Sequence, residues 1–464
     1  MLNAQQVWKY KLTLTNGQIL YSQSKIKIQD GATINPNFGL FSNAKLGFPS
    51  NIWSQPVAGM SNLYTFGLTS GATYDGLSAN AQIFVDDAGG DHKITKPLIV
   101  IEGFDMSTIF SPETKYSTED YTDFQKSIFK TNSNLSILLS GNGEFTYGDQ
   151  QYDVIYLNWD NGVDYIERNA LVVEDLIKLI KNNIDPASTN KIVIMGQSMG
   201  GVVTRFALKD LETQGYNHNV GLFVSDDSPQ QGANIPLSYQ YLFRNAVNQV
   251  MRSPVAGILI PLFPKVQKMM TILDQPAVKE MVINRVDSGY NLDNVTTQSF
   301  YTMLKNKGYP NQYGIRNIAI SNGSECGNLQ NFTAGDHLIT YSYYKKLTFV
   351  GDLLSLIYLP SLGNVAGFLV DPSFFAVGFL ARIPGNSKFY VNLEDRALYP
   401  TSGNKIHDFK VQYTKKILWL FPITVSIINK QLYQPNSINK HFDNYGGGYI
   451  NIYNTLEKLD HYLS

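Results

Sequence analysis

Lys191-Ile-Val-Ile-Met-Gly-Gln-Ser-Met-Gly-Gly201 is the stretch on which the reading of the fold depends. Ile192 to Met195 make an apolar strand that runs straight into Gly196-Gln-Ser198-Met-Gly200, and helix-compatible sequence follows at once. This is G-x-S-x-G in the setting that gives it meaning, a sharp strand-to-helix turn with serine at the tip. Backbones crowd such a turn, so a Cβ at Gly196 or Gly200 would clash. The turn lifts the Ser198 hydroxyl clear of a sheet, and the start of the next helix favours developing negative charge. Ser198 is therefore the candidate nucleophile.

Outward from this turn, strands and helices alternate. Pro97 to Ile101 is a fully apolar short run, as a buried parallel strand requires, and Tyr152 to Leu157 is a second strand. Between Asp164 and Asn182, apolar residues at 166, 172, 173, 176, 177 and 180 mark one face of a helix. A helix over about 201 to 213 follows the serine, then strands at Val220 to Val224 and Gly314 to Ile320. The pattern predicts an α/β class, with a mainly parallel sheet and helices on both faces.

Three regions depart from that rhythm. Residues 1 to 95 form a β-rich N-terminal region, with a hairpin signal at Asn16-Gly17 and a strand at Ala79 to Val85. It is either an accessory β-unit or the antiparallel edge of the main sheet. The core over 96 to 340 contains a helix-rich insertion at about 235 to 310, where a substrate-covering cap would go; a helical excursion packed elsewhere fits equally. Residues 341 to 464 are apolar and then β-rich. Leu353 to Val370 carries no charge over eighteen positions, but Pro360, Gly363 and Asn364 interrupt it, which favours buried strands or an acyl-facing wall over a membrane span.

Composition narrows the function classes. With 37 basic and 38 acidic residues, a net charge of −1 offers no electrostatic footprint for nucleic acid. The single cysteine, Cys326, excludes an intrachain disulfide and a multi-thiolate metal site. Neither clustered metal ligands nor a phosphate-binding glycine motif follows a strand, so no metal and no nucleotide cofactor is expected. The first residues lack the basic start and apolar run of a secretory signal. Low charge and 29 tyrosines nonetheless lean towards a secreted or envelope-associated protein.

A serine hydroxyl needs a base, an acid that orients the base, and donors for an oxyanion. The turn Glu102-Gly103-Phe104-Asp105 follows an early strand, and the Phe104 amide with that of Met199 would form the oxyanion hole. These features resemble the α/β-hydrolase superfamily. Asp227-Ser-Pro-Gln-Gln-Gly-Ala-Asn-Ile-Pro236 is similar to the Thr-Pro-His-x-Gly-Ala stretch of bacterial lipases and GPI-inositol-deacylase-like serine hydrolases. The likeness covers about 95 to 240 well and 311 to 325 loosely. It implies an esterase or lipase with a Ser–acid–His triad and no cofactor. Gln230 stands where many relatives have histidine, and Glu102 where they have His or Pro.

The acid follows the serine and precedes the histidine. Asp227, just past the strand at 220 to 224, ranks slightly ahead of Glu325, which follows the strand at 314 to 320. Of the histidines, His92 and His218 precede the acids, His407 lies in a strand-like run, and His461 is nearly terminal. His441 opens a glycine-rich loop and is the leading base, with His337 as runner-up. The expected partner is a small-molecule or lipid ester, and peripheral contact with a lipid surface is left open. Two rival readings remain: thioester, amide or acyl-transfer chemistry on the same fold, and a catalytically silent module that binds a glycan, lipid or protein.

Overall fold

The computed structural model describes residues 11–13, 19–21, 52–53, 55–58, 62–105, 121, 152–251, 271–321, 333–347, 380 and 383–438. Glu325, Cys326, His441 and His461 lie outside the described residues, as does nearly all of the apolar stretch at 347 to 384. The chain divides into two compact units. One comprises Met1–Gln231, Gln275–Glu280 and Ser299–Ser321; the other comprises Gly232–Asp274, Met281–Gln298 and Asn322–Ser464. The helix-rich insertion is thus shared between them, most of it grouping with the C-terminal region.

The first unit is built on a seven-stranded sheet. Its strands are β3 (Leu63–Thr69), β4 (Asn80–Asp86), β5 (Pro97–Ile101), β6 (Asp153–Trp159), β7 (Ile192–Gln197), β8 (Val220–Asp226) and β11 (Arg316–Ile320). The spatial order is β11-β8-β7-β5-β6-β4-β3. The five strands from β11 to β6 pair in parallel, and β4 and β3 add antiparallel at one edge. This resolves the ambiguity of the N-terminal region, because β3 and β4 extend the main sheet. Among the described residues the short hairpin of β1 (Lys11–Thr13) and β2 (Ile19–Tyr21) pairs only with itself.

The centre is apolar because both faces are covered. Every residue of β5 and β6 is buried. Helices α1 (Ile166–Asn183) and α2 (Met199–Thr213) pack on each other and share one face of the sheet. On the other face Tyr121 packs with Leu98, Val100, Phe84 and Tyr156. Truncating a fully buried residue such as Ile99 to alanine would cost about 2–5 kcal/mol.

The start of α1 depends on a distant residue. Tyr165 provides no side-chain cap, and the Ile166 N–H instead donates to Glu280 Oε2 at 2.8 Å. Burial, and secondly the adjacent Glu167, pushes the Glu280 carboxyl up to about 9. Tyr74, half-buried near Glu167, is pushed up to about 12 by partial burial and secondly by that carboxylate. At neutral pH Glu280 therefore keeps its proton.

The second unit holds a four-stranded antiparallel sheet, β12 (His337–Leu347), β13 (Gly385–Arg396), β14 (Lys405–Ile417) and β15 (Phe421–Tyr433), paired in chain order. Helix α3 (Leu237–Met251) packs on β13 and β14. It also packs on β9 (Arg285–Val286), which pairs with β10 (Leu292–Asp293). Arg244 of α3 and Arg285 of β9, both buried, converge on Asp274 at 2.8 Å. One face of the sheet is apolar, with Val411, Tyr413 and Ile427 at its centre. The other is lined by Lys, Thr, Asn and Gln side chains, the alternation expected of an antiparallel sheet. No described helix is long and apolar enough to cross a membrane.

Candidate active site

Strand β7 ends at Gln197, helix α2 begins at Met199, and Ser198 alone makes the turn between them. Its backbone has φ 49° and ψ −121°, a conformation costly for any residue with a Cβ. Three contacts hold it there. The Ser198 N–H donates to Asp226 O at 2.8 Å, extending the β7–β8 ladder by one rung. A Cβ on Gly196 would collide with the Gly201 backbone, and one on Gly200 with the carbonyl oxygens of Ile101 and Glu102. The helix start can therefore approach the sheet only because these positions are glycine. Ser198 is exposed, and its hydroxyl neither caps α2 nor bonds to any described residue.

The chain leaving β5 lies directly against this turn. A Cβ on Gly103 would be 3.2 Å from the Ser198 Cβ and 3.2 Å from Gln197 O. The amide of Phe104, one peptide further on, and that of Met199, an orphan donor at the helix start, thus belong to the two segments that flank the hydroxyl. Trp159 fixes the 102–105 loop from below. Its Nε1–H donates to Glu102 O at 3.0 Å and Gly103 O at 3.1 Å, and its N–H donates to Glu102 Oε2 at 3.0 Å. Glu102, in place of His or Pro, is thereby part of the anchor. Trp159 was not singled out from the sequence; a tryptophan ending an apolar strand beside a glycine turn was the signal available.

Beyond β8, Asp226 and Asp227 lie at the same edge of the sheet as Ser198. Asp226 is half-buried, and burial with the adjacent Asp227 raises its carboxyl above the usual range. Asp227 is exposed, with φ 45°, and its N–H donates to Ile320 O at 2.7 Å. The loop that follows is pinned. Gln230 Nε2 donates to Ser225 Oγ at 2.9 Å, and Gln230 Oε1 accepts from Arg205 at 3.3 Å. Tyr301 donates to Pro229 O at 2.6 Å. Arg205 is buried, stacks over Tyr309 and donates to Gly308 O and Leu304 O. The glutamine that replaces histidine in the motif is a structural tie.

The histidines distribute unevenly. His92 precedes β5 and bonds the Tyr64 hydroxyl at 2.6 Å. His218 precedes β8, is fully buried and accepts the Val220 N–H through Nδ1 at 3.0 Å, so burial holds its ring below the usual value. Both sit where parallel strands begin, whereas Ser198 sits where they end, roughly 15–20 Å away. Neither serves as its base. In the second unit, His337 is exposed at the first position of β12, and His407 is buried with Nδ1 2.6 Å from Asp395 Oδ1. Glu325 and His441 fall outside the described residues. Among the described residues no group of three or more His, Cys, Asp or Glu side chains could hold a metal ion.

The order of strands around a serine turn sealed by glycines agrees with a comparison of sequence families: residues 147–321 match the model described as PGAP1-like alpha/beta domain. That span is similar to a PGAP1-like alpha/beta domain. No curated protein matches the chain. Among solved structures, the mature form of the Bacillus licheniformis lipase BlEst2 is similar at 14% identity, over 52% of this chain and 72% of that one, with a TM-score of 0.28. The rice cell wall degrading esterase LipA from Xanthomonas oryzae is similar at 14% identity, over 56% and 74%, with a TM-score of 0.31. The Pyrobaculum calidifontis esterase gives 12% identity, 58% and 77% coverage and a TM-score of 0.27. The likeness is remote in every case. The matched span runs from β6 to β11 and so includes Ser198 and Asp227, whereas the Gly103 turn lies outside it.

Proposed function

We propose that the PGAP1-like domain is a serine hydrolase that cleaves carboxylic esters with an apolar acyl part. The observation that carries this reading is the Ser198 hydroxyl, exposed and uncapped on a left-handed residue at the head of a helix. Strain of this kind persists where the surroundings over-determine it, and here it presents an alcohol beside two backbone segments able to donate N–H groups.

In this mechanism Ser198 Oγ attacks the ester carbonyl and its proton passes to a histidine. The resulting oxyanion accepts from the Met199 and Phe104 amides. Collapse breaks the ester C–O bond, and the histidine returns the proton to the departing alcohol. Water, deprotonated by the same histidine, then attacks the acyl carbon and frees Ser198 and the acid. We assign the base to His441, with His337 as the alternative. The orienting acid is Asp227, with Glu325 as the alternative. Low charge and abundant tyrosine favour action outside the cytoplasm.

Labelling with a fluorophosphonate probe tests the reading. Wild type should label and Ser198→Ala should not. A folded wild type that fails to label would favour a silent binding module. On p-nitrophenyl esters of rising chain length, turnover should peak beyond acetate; a peak at acetate would remove the apolar-acyl assignment. His441→Ala should abolish labelling while His337→Ala leaves it, and the reverse result would exchange their roles.

A further inference from the structure

The β14–β15 turn of the second unit ends in Ile417-Leu-Trp-Leu-Phe421. Leu418, Trp419, Leu420 and Phe421 are 56%, 53%, 69% and 66% exposed, four consecutive large apolar side chains in solvent. Leu418 and Trp419 also hold φ of 47° and 63°, and the Leu420 N–H closes the turn on Ile417 O at 2.9 Å. Two successive left-handed residues make the turn that Asn-Gly forms without strain. Folding alone explains neither the side chains chosen here nor their backbone.

The polar face beside this turn is basic. Lys346 lies directly opposite Lys388 in the β12–β13 register, and Asn386 lies opposite Lys416 in the β13–β14 register. Registered partners, and residues two apart on a strand, project from one face, so the three lysines share it. Like charges directly opposite each other are unfavourable. All three are exposed, and none forms an ion pair among the described residues. With Thr414 and Pro422 they line a pocket of about 570 Å³. The acids of this face, Glu394, six residues beyond Lys388, and Asp408, eight before Lys416, lie about 20 Å or more away along their strands and already bond Arg396, Lys405 and Lys410.

We propose that this end of the sheet docks on an anionic phospholipid membrane. The Leu418–Phe421 tip enters the interfacial layer, with Trp419 at headgroup depth, and Lys346, Lys388 and Lys416 meet lipid phosphates. A second copy of the chain is the poorer occupant, because the same three positive charges would face each other around the tip. The inference stands independently of the chemistry at Ser198.

Co-sedimentation of the full chain with vesicles tests it, using phosphatidylcholine alone and phosphatidylcholine with about one-third phosphatidylglycerol. Wild type and Ser198→Ala should bind the anionic vesicles equally. The double variant Leu418→Asn/Trp419→Gly suits the turn, so it should fold, yet its partition should fall at least about ten-fold. Each of Lys346→Gln, Lys388→Gln and Lys416→Gln should lower partition roughly five-fold, and the triple variant should lose the preference for phosphatidylglycerol. Wild type left in the supernatant, or the Asn-Gly variant bound as well as wild type, overturns the proposal. So does dimerisation of wild type, but not of the Asn-Gly variant, in sedimentation velocity when vesicles are not bound.

Discussion

Among the turns that place side chains on left-handed backbone, those at Ser198 and at Leu418–Trp419 are built in opposite ways. At Ser198 the conformation is enforced from every side. Gly196 and Gly200 admit the neighbouring backbone, β7 and β8 hold the amide, and α2 continues from the next residue. At Leu418 and Trp419 the side chains stand in open solvent, and beyond the hairpin itself a bond from the Leu418 N–H to Pro384 O at 2.8 Å steadies the turn. The first strain is sustained by a buried parallel sheet that would tolerate little else. The second could be relieved by an ordinary Asn-Gly pair at no cost to packing. Strain that the fold imposes and strain that the fold merely permits call for different experiments.

The largest effect should come from the enforced turn. Ser198→Ala should lower ester turnover by at least ~10⁴-fold while leaving the melting temperature unchanged, because the hydroxyl has no bond among the described residues to lose. A variant that retained a tenth of the activity would remove the serine from the mechanism. Next is Gly200→Ala, which drives a methyl into two carbonyl oxygens. It should cost about 2–3 kcal/mol in urea unfolding and most of the activity. Trp159→Phe keeps the ring packing but leaves three hydrogen bonds reduced to one. About 1–3 kcal/mol of stability and about ten-fold in kcat/KM should be lost as the 102–105 loop loosens.

Glu280 sharpens the comparison through pH. Its folded value of about 9 lies above its ordinary value of 4.5, so the native state keeps a proton that the unfolded chain releases. That contribution is fully present below pH 4.5 and is lost as pH rises towards about 9. Glu280→Gln cannot ionise yet can still accept the Ile166 N–H. Its melting temperature should fall less than that of wild type between neutral and alkaline pH, and parallel curves would refute the proton retained on Glu280. The smallest effect is at the permitted turn, where Leu418→Asn/Trp419→Gly should raise stability by about 1 kcal/mol, measured by urea unfolding.

What was legible in the sequence was what is local. The β7–Ser198–α2 unit announces itself because glycine, serine and an apolar run lie within eleven residues. β5, β6 and the start of β8 are short apolar runs of the same kind, whereas β11, opening on Arg316-Asn317, is exposed throughout. Whether β3 and β4 join the main sheet is decided by pairing β4 with β6, about 70 residues away, and no period within either strand encodes that. The roles of Glu102 and Gln230 were equally hidden. Each looked like a departure from a motif until Trp159 and Arg205, brought in by the fold, gave it a bonding partner. The acid and the base of the proposed triad depend on such long-range placement, and Asp227 is the one leading candidate for either role that falls within the described residues.

One consequence follows from the two rungs beyond the strand ends. The Ser198 amide hangs on Asp226 O, and the Asp227 amide hangs on Ile320 O. β11 is an outermost strand with Ile318 and Ile320 open to water. Peptide to peptide, the proposed nucleophile is tethered to the rim of the sheet. Fraying at Ile320 would slacken the tether, and protection of the Asp227 and Ser198 amides against deuterium would report, ahead of any assay, how firmly the alcohol is held.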